Sequence, residues 1–365
     1  MINFNLSYQW IRWRKPDGPP PALPKGVERL FMHTAGGPIE ILHAAPTGPA
    51  ANQRSAAPPP PPVFFVHGGM GSAWVWLEYM QYLSSRGVPC YAISLRGHGE
   101  SWHPSFLRMV YGTPRSALAD DLVAGIRFAE GREGGAQVVL CGHSSGGGLS
   151  QFVLSERGVG VRGLVLMGAV PGFGSMKVYI NWWLLDPWFS LRMLFHGWHP
   201  NSPLSHPALT RRAFFSDAVP DSYVARFQTH INAYESFLWP LSMMVPFANA
   251  ATIVRRVAGW GQGGGHRILV LAGGRDRLMT MDVMEKLAGF YRQALRSLLR
   301  DKKLDGVDGP VGGSENRGNA SGREGIDSDA DGVRLAVVPS AGHHMQNDVD
   351  WEVGAEKLLA FYGQL

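Results

Sequence analysis

Gln137-Val138-Val139-Leu140-Cys141-Gly142-His143-Ser144-Ser145-Gly146-Gly147-Gly148-Leu149 is the stretch on which the reading of this chain turns. The apolar run predicts a buried strand, and the residues from Gly147 onward predict a helix. Between them Ser144 stands at the apex of a sharp turn. A G-x-S-x-G spacing alone is a weak signal, because its residues are common. The strand before it and the helix behind it make it a strong one. Glycines flanking the turn allow a backbone approach that a Cβ would block. The helix N-terminus behind the serine favours developing negative charge.

A nucleophilic serine needs a base, and the base needs an orienting acid. Both residue types follow in order. Arg267-Ile268-Leu269-Val270-Leu271-Ala272 reads as a buried strand and ends in Gly273-Gly274-Arg275-Asp276, a carboxylate just past a strand end. Val333-Arg334-Leu335-Ala336-Val337-Val338 runs into Pro339-Ser340-Ala341-Gly342-His343-His344. Asp276 also reads as a cap for the segment beginning near Met279. Asp282 is its neighbour within a helix-like stretch, and His344 competes with His343. His98 and His143 read as turn residues.

Two further motifs precede the serine: Val63-Phe64-Phe65-Val66-His67-Gly68-Gly69-Met70-Gly71-Ser72 and Leu95-Arg96-Gly97-His98-Gly99-Glu100-Ser101. With the serine turn and the later acid and histidine turns, the chain resembles α/β-hydrolase-fold proteins of the single-domain type with a helical cap. The resemblance spans nearly the whole chain. It implies Ser144 as nucleophile, Asp276 as acid and His343 as base, since the family places the base directly after the glycine. It also implies an oxyanion hole of two backbone N–H donors, Ser145 with Gly69 or Met70. One such donor is worth roughly 3 kcal/mol in the transition state. Many members carry Asp where this chain has Ser94, a departure that touches a structural loop. A serine at the elbow excludes the epoxide hydrolase and dehalogenase chemistries, which use a carboxylate there. No cofactor and no metal are required, and no G-x-x-x-x-G-K phosphate loop occurs.

Short apolar segments at 63–67, 89–94, 137–142, 163–168, 267–272 and 333–338 alternate with helical stretches. That predicts an α/β fold, a mostly parallel central sheet flanked by helices. Residues 28–45 read as a hairpin. The α/β-hydrolase core is expected to span 1–170 and 251–365, with a helical cap inserted at 171–250. The aromatic run Tyr179–Phe189 and the later Phe237, Trp239, Met243 and Met244 suggest a cap whose inner face lines a pocket for a bulky hydrophobic substrate. Residues 46–62 are a proline-rich loop, and 305–332, poor in large apolar residues, are expected to form a flexible loop.

The 365 residues carry a formal net charge of +5, with arginines dispersed rather than clustered, which gives no footprint for nucleic acid. Two cysteines imply no disulfide framework. Cys90 is expected to begin one strand and Cys141 to end another, too far apart to bridge. The opening residues lack a basic leader with an apolar core, so the cytoplasm is the default expectation. Trp10 and Trp13 among Arg12, Arg14 and Lys15 read as an arm docked on the protein's own body, with a membrane surface as the other reading. No apolar stretch is long enough for stable membrane insertion.

The function these features imply is a serine hydrolase, a carboxylic-ester hydrolase or lactonase acting on a small hydrophobic ester or lactone through an acyl-enzyme. Two alternatives use the same framework. One is acyl transfer, cyclisation or carbon–carbon hydrolysis in natural-product metabolism, and the other is a ligand-binding receptor on a hydrolase scaffold. A homodimer is compatible by analogy with other capped members of the fold.

Overall fold

The structure, a computed structural model, describes residues 4–47, 60–261, 265–304, 327–330 and 332–365. An N-terminal arm leads into a hairpin of β1 (Glu28–Thr34) and β2 (Gly37–Ala44). There follow β3 (Val63–Val66), α1 (Leu77–Ser84), β4 (Cys90–Ile93), α2 (Phe106–Gly112) and α3 (Arg115–Arg132). Next come β5 (Val139–His143), α4 (Ser144–Glu156) and β6 (Gly163–Met167). A long crossover then carries α5 (Met176–Leu185), α6 (Phe189–Phe195), α7 (Pro207–Phe214), α8 (Asp221–His230), α9 (Leu238–Leu241) and α10 (Ala250–Arg256). The chain closes with β7 (Ile268–Gly273), α11 (Met281–Arg300), β8 (Ser328–Ala330), β9 (Val333–Val338) and α12 (Trp351–Tyr362).

The strands form one sheet in the order β1-β2-β4-β3-β5-β6-β7-β9-β8. β4, β3, β5, β6, β7 and β9 run parallel, and β1, β2 and β8 pair antiparallel at the two edges. β3 explains why the parallel strands read as unbroken apolar runs. Phe64 and Val66 face one layer with Leu122 and Ile126 of α3 and Leu149 of α4. Val63 and Phe65 face the other, with Tyr79 of α1 and Leu358 and Phe361 of α12. A strand covered on both faces has no solvent side to require a polar residue.

The hairpin and the six predicted parallel strands form where expected. Of 305–332, residues 305–326 and 331 lie outside the described residues. Residues 328–330 depart from the expected loop: Ser328, Asp329 and Ala330 pair with Leu335, Arg334 and Val333 as an edge strand. Pairing needs only free backbone groups on the neighbour, which β9 offers at the sheet edge. The proline-rich stretch also lies outside the described residues, except at its two ends. Cys90 begins β4, whereas Cys141 sits within β5 rather than at its end; both are buried and free.

The N-terminal arm docks on the crossover. The Phe4 carbonyl accepts from the Arg192 guanidinium, the Tyr8 hydroxyl donates to the Phe195 carbonyl at 3.0 Å, and Trp13 packs on Phe106 and His199.

Candidate active site

β3, β5, β7 and β9 all end at one edge of the sheet, where parallel α/β folds present their ligand sites. The loops leaving them carry His67–Met70, Ser144, Asp276 and His343. At the end of β5 the chain must reverse from strand to helix within one residue. Ser144 does so in the left-handed region, at φ 52°. For a residue with a Cβ this costs on the order of 1–3 kcal/mol and persists only where packing enforces it. The packing is dense here. A Cβ on Gly146 would lie 2.2 Å from the His67 carbonyl oxygen, and one on Gly142 would lie 2.6 Å from the Gly147 Cα. The glycines of the motif are thus a steric condition for helix α4 to press against the end of β3.

Ser144, His343 and Asp276, far apart in sequence, meet in one hydrogen-bonded line. The Ser144 Oγ is 2.9 Å from His343 Nε2, and His343 Nδ1 is 2.8 Å from Asp276 Oδ2. Asp276 Oδ1 meanwhile accepts from the N–H groups of Leu278 and Met279. Asp276 thus accepts from the turn backbone on one oxygen and faces His343 with the other. Asp282 lies elsewhere, ion-paired with Lys177 at the surface. With Asp276 as acceptor, His343 carries its proton on Nδ1 and presents a lone pair at Nε2 to the serine hydroxyl.

His344 points the other way. Its ring packs against Phe214 and Phe227, and its Nδ1 faces Asn347. Burial, helped by the nearby His343, pushes its pKa down to about 3. His143 lies beneath His343, with its Nε2 2.9 Å from the His343 carbonyl oxygen, so it donates there. Burial first, then the neighbouring His344 and His343, hold its pKa well below the usual histidine range. Asp348, absent from the sequence reading, fixes the His343 loop: its Oδ2 accepts from the Gly342 N–H at 3.0 Å and the Ser216 N–H at 2.8 Å.

Of the three candidate oxyanion donors, two are free to act. The Gly69 and Ser145 N–H groups have no acceptor among the described residues. The Ser145 N–H lies in the first turn of α4, where helix geometry leaves donors unpaired. The Met70 N–H is committed, donating to Glu235 Oε2 at 3.0 Å. Met70 also sits in the left-handed region, at φ 65°, and its carbonyl accepts from the Asn232 N–H. Residues 232–235 of the crossover therefore grip both backbone groups of Met70.

Glu235 is buried and reaches further. His98 Nε2 lies 2.8 Å from its Oε2, and His98 Nδ1 lies 2.9 Å from the Arg96 carbonyl. Both ring nitrogens face acceptors, which requires two ring protons. Burial opposes that charge, but the Glu235 carboxylate and the backbone carbonyls outweigh it and raise the His98 pKa. Neither residue's partnership was legible in the sequence, because 137 positions separate them. A glutamate within an apolar, aromatic insertion is the one signal that could have drawn attention.

Ser94 is also resolved by a distant residue. Its hydroxyl donates to Glu40 Oε2 at 2.6 Å and accepts from the Ala73 N–H. The Glu40 carboxylate, sent in from β2, takes the Glu100 N–H and pairs with Arg29. A serine plus a borrowed carboxylate thus occupy the loop.

The crossover contributes rings above the histidine: Phe214 lies 5.8 Å from the His343 ring, and Trp182 lies 6.5 Å from Phe214. Trp183 and Trp188, which the sequence reading grouped with these, point outward and are 54% and 42% exposed. A cleft of about 280 Å³ lies between the arm, Glu40, Trp74 and residues 229–233. Neither Ser144 nor His343 lines it, so the site is identified by its side-chain geometry. Among the described residues no cluster of His, Cys, Asp and Glu is arranged to hold a metal ion.

A family model described as the alpha/beta hydrolase family matches residues 63–352. Among solved structures the chain is similar to a thermophilic esterase from Thermogutta terrifontis, with a TM-score of 0.54 and 16% identity over 91% of this chain and 97% of that one. It is similar to a highly thermostable carboxyl esterase from Bacillus coagulans, with a TM-score of 0.57 and 14% identity over 93% and 99%. An esterase from Exiguobacterium antarcticum gives a TM-score of 0.54 and 15% identity over 91% and 98%. At such identities the likeness is one of fold.

Proposed function

The chain belongs to the alpha/beta hydrolase family, and from that premise we propose that it is a serine hydrolase cleaving a carboxylic ester or lactone of a bulky hydrophobic substrate. The observation that carries this reading is the continuous line from Ser144 Oγ through His343 to Asp276. In this reading His343 Nε2 takes the hydroxyl proton as Ser144 attacks the carbonyl carbon, and Asp276 stabilises the imidazolium through Nδ1–H. The carbonyl oxygen gains negative charge between the Gly69 and Ser145 N–H groups, beside the N-terminus of α4. Collapse expels the alcohol, which takes its proton from His343. Water then attacks the acyl-enzyme by the reverse proton path.

Segment 171–250 acts in this reading as the cap. Phe214 beside His343, with Trp182 packed against Phe214, supports an apolar acyl or ring pocket beneath it. The test is hydrolysis of p-nitrophenyl esters of increasing acyl length by wild type and Ser144→Ala. Turnover in the wild type alone would support the assignment, and the preferred length would size the pocket. Equal turnover in both would overturn it. Adding an alcohol and analysing products separates hydrolysis from acyl transfer.

A further inference from the structure

Helices α5 and α6 turn an apolar face outward as well as inward. On α5, Met176, Ile180, Trp183 and Leu184 are 50–61% exposed and share one helical face. On α6, Leu191, Leu194 and Phe195 repeat the pattern, and Trp188 and Trp198 flank them at either end. The opposite sides of these helices already pack: Val178 and Met193 are buried, and Trp182 lies on Phe214. The outward face is therefore a surplus that the protein's own core does not use. Of the nineteen large hydrophobic side chains exposed among the described residues, nine fall between Met176 and Trp198. A contiguous patch of this kind marks an interaction surface.

The N-terminal arm extends the patch. Phe4 packs edge-on against Trp188 and Phe195, at 5.8 and 5.9 Å, leaving Leu6, Tyr8 and Trp13 exposed alongside. The arm is net basic: Arg12, Arg14 and Lys15 precede the exposed Asp17, and Lys15 pairs with Glu100 at 2.7 Å. Within 176–198 the only acid is Asp186, buried against Arg192 at 2.5 Å. A surface rich in Trp and Leu, with exposed Arg14 on the adjoining arm and no exposed carboxylate on α5 or α6, matches an anionic bilayer. Tryptophan and tyrosine suit the headgroup boundary, where one part of the ring is wet and the other apolar. A protein partner would need polar groups for the hydrogen bonds of an interface rim, and these two helices offer few.

We propose that α5, α6 and the N-terminal arm form a peripheral docking surface for a lipid bilayer bearing anionic headgroups. Trp183, Trp188 and Trp198 enter the interface, and the exposed Arg14 meets the phosphates. No helix among the described residues is long and apolar enough to cross the membrane, and the proposed attachment is through this face. The inner side of α5 is separated from His343 by Trp182 and Phe214, which puts the bilayer directly above the proposed site.

The test is co-sedimentation of the full chain with vesicles of phosphatidylcholine, with and without phosphatidylserine, read alongside tryptophan emission. Wild type is expected to bind the phosphatidylserine vesicles, with a blue-shifted emission and weaker binding at high salt. The double variant Trp183→Asp, Leu194→Asp is expected to bind at least about tenfold more weakly, since each side chain loses its burial in the interface. Both positions are solvent-facing, so circular dichroism and turnover of a short soluble ester should be unchanged. Wild type remaining in the supernatant with both vesicle types would overturn the proposal, as would binding indifferent to the double variant. A dimer in light scattering that the variant dissociates, with no vesicle binding, would make the face a contact between copies and likewise overturn it. Vesicle binding is read without turnover, so this result stands apart from that of the proposed chemistry.

Discussion

Replacing Glu235 by alanine tests whether a side chain of the crossover sets the geometry of the oxyanion loop. Glu235 is 4% exposed and accepts three hydrogen bonds, from the N–H groups of Met70 and Ser236 and from His98. Alanine removes the acceptor of the His98 Nε2–H and of the Met70 and Ser236 N–H groups, while His98 Nδ1 keeps the Arg96 carbonyl. Breaking such a pair costs about 3–5 kcal/mol of stability. The catalytic consequence is separate. Met70 is held in a left-handed conformation worth on the order of 1–3 kcal/mol of strain. Freed at its N–H, it can relax, and the adjoining Gly69 N–H turns with it. Complete loss of one oxyanion donor costs about 2.7–4 kcal/mol, so partial misalignment should lower kcat roughly tenfold to a hundredfold with KM little changed. Glutamine at 235 should rescue most of this. With its oxygen in the Oε2 position it can accept from both Met70 and the His98 Nε2–H, and only the Ser236 N–H loses its acceptor. The assay is steady-state hydrolysis of an activated ester by wild type, Glu235→Ala and Glu235→Gln, with folding checked by circular dichroism. If folded Glu235→Ala keeps the wild-type kcat, or if loss appears only in KM, Glu235 does not position the oxyanion loop.

The remaining predictions concern the base, the buried histidines and the Ser94 loop. His343→Ala should abolish ester turnover, whereas His344→Ala should retain it while lowering the urea midpoint, because His344 packs with phenylalanines and has no contact with Ser144; the reverse pattern in kcat would reassign the base. His344, titrating near 6.5 when unfolded and at about 3 when folded, is protonated first in the unfolded state, so stability must fall as pH drops below about 6.5. At pH 5 this one ring should cost about 2 kcal/mol, with His143 and His67 acting in the same direction and His98, its pKa raised because burial is outweighed by Glu235, acting in the opposite one. Urea unfolding at pH 7 and pH 5 checks this, and equal stabilities would contradict it. Ser94→Asp should destabilise the fold by about 3 kcal/mol or more, because it places a second carboxylate against buried Glu40. Adding Glu40→Gln should recover much of that loss in thermal unfolding, and no recovery would mean that Glu40 does not substitute for the missing acid.

Much of the fold was readable because its signals are local. Val63–Val66, Gly163–Met167 and Ile268–Gly273 are each buried on both faces, and such burial leaves an unbroken apolar run in the sequence. The elbow was readable for a steric reason: Gly142 and Gly146 have no room for a Cβ, so the geometry is written directly into residue type. What escaped the reading depends on contacts between distant segments. Strand β8 exists because β9 offers an edge, and its own residues, Ser328, Asp329 and Ala330, carry no strand pattern.

From its sequence alone this chain could be assigned a parallel α/β sheet and a serine, an acid and a histidine at strand ends in a known order. Those features follow from short-range rules: strand burial, turn sterics and spacing. Only the tertiary structure decided that the Met70 N–H is spent on Glu235 while Gly69 remains free, that Glu40 completes the Ser94 loop, and that Trp183 faces solvent while Trp182 packs toward Phe214. Each of these is settled by which side chain arrives from another part of the chain, 165 residues away for Glu235 and Met70. Adjacent tryptophans on one helix are alike in the sequence, and the packing around the helix alone determines which is buried.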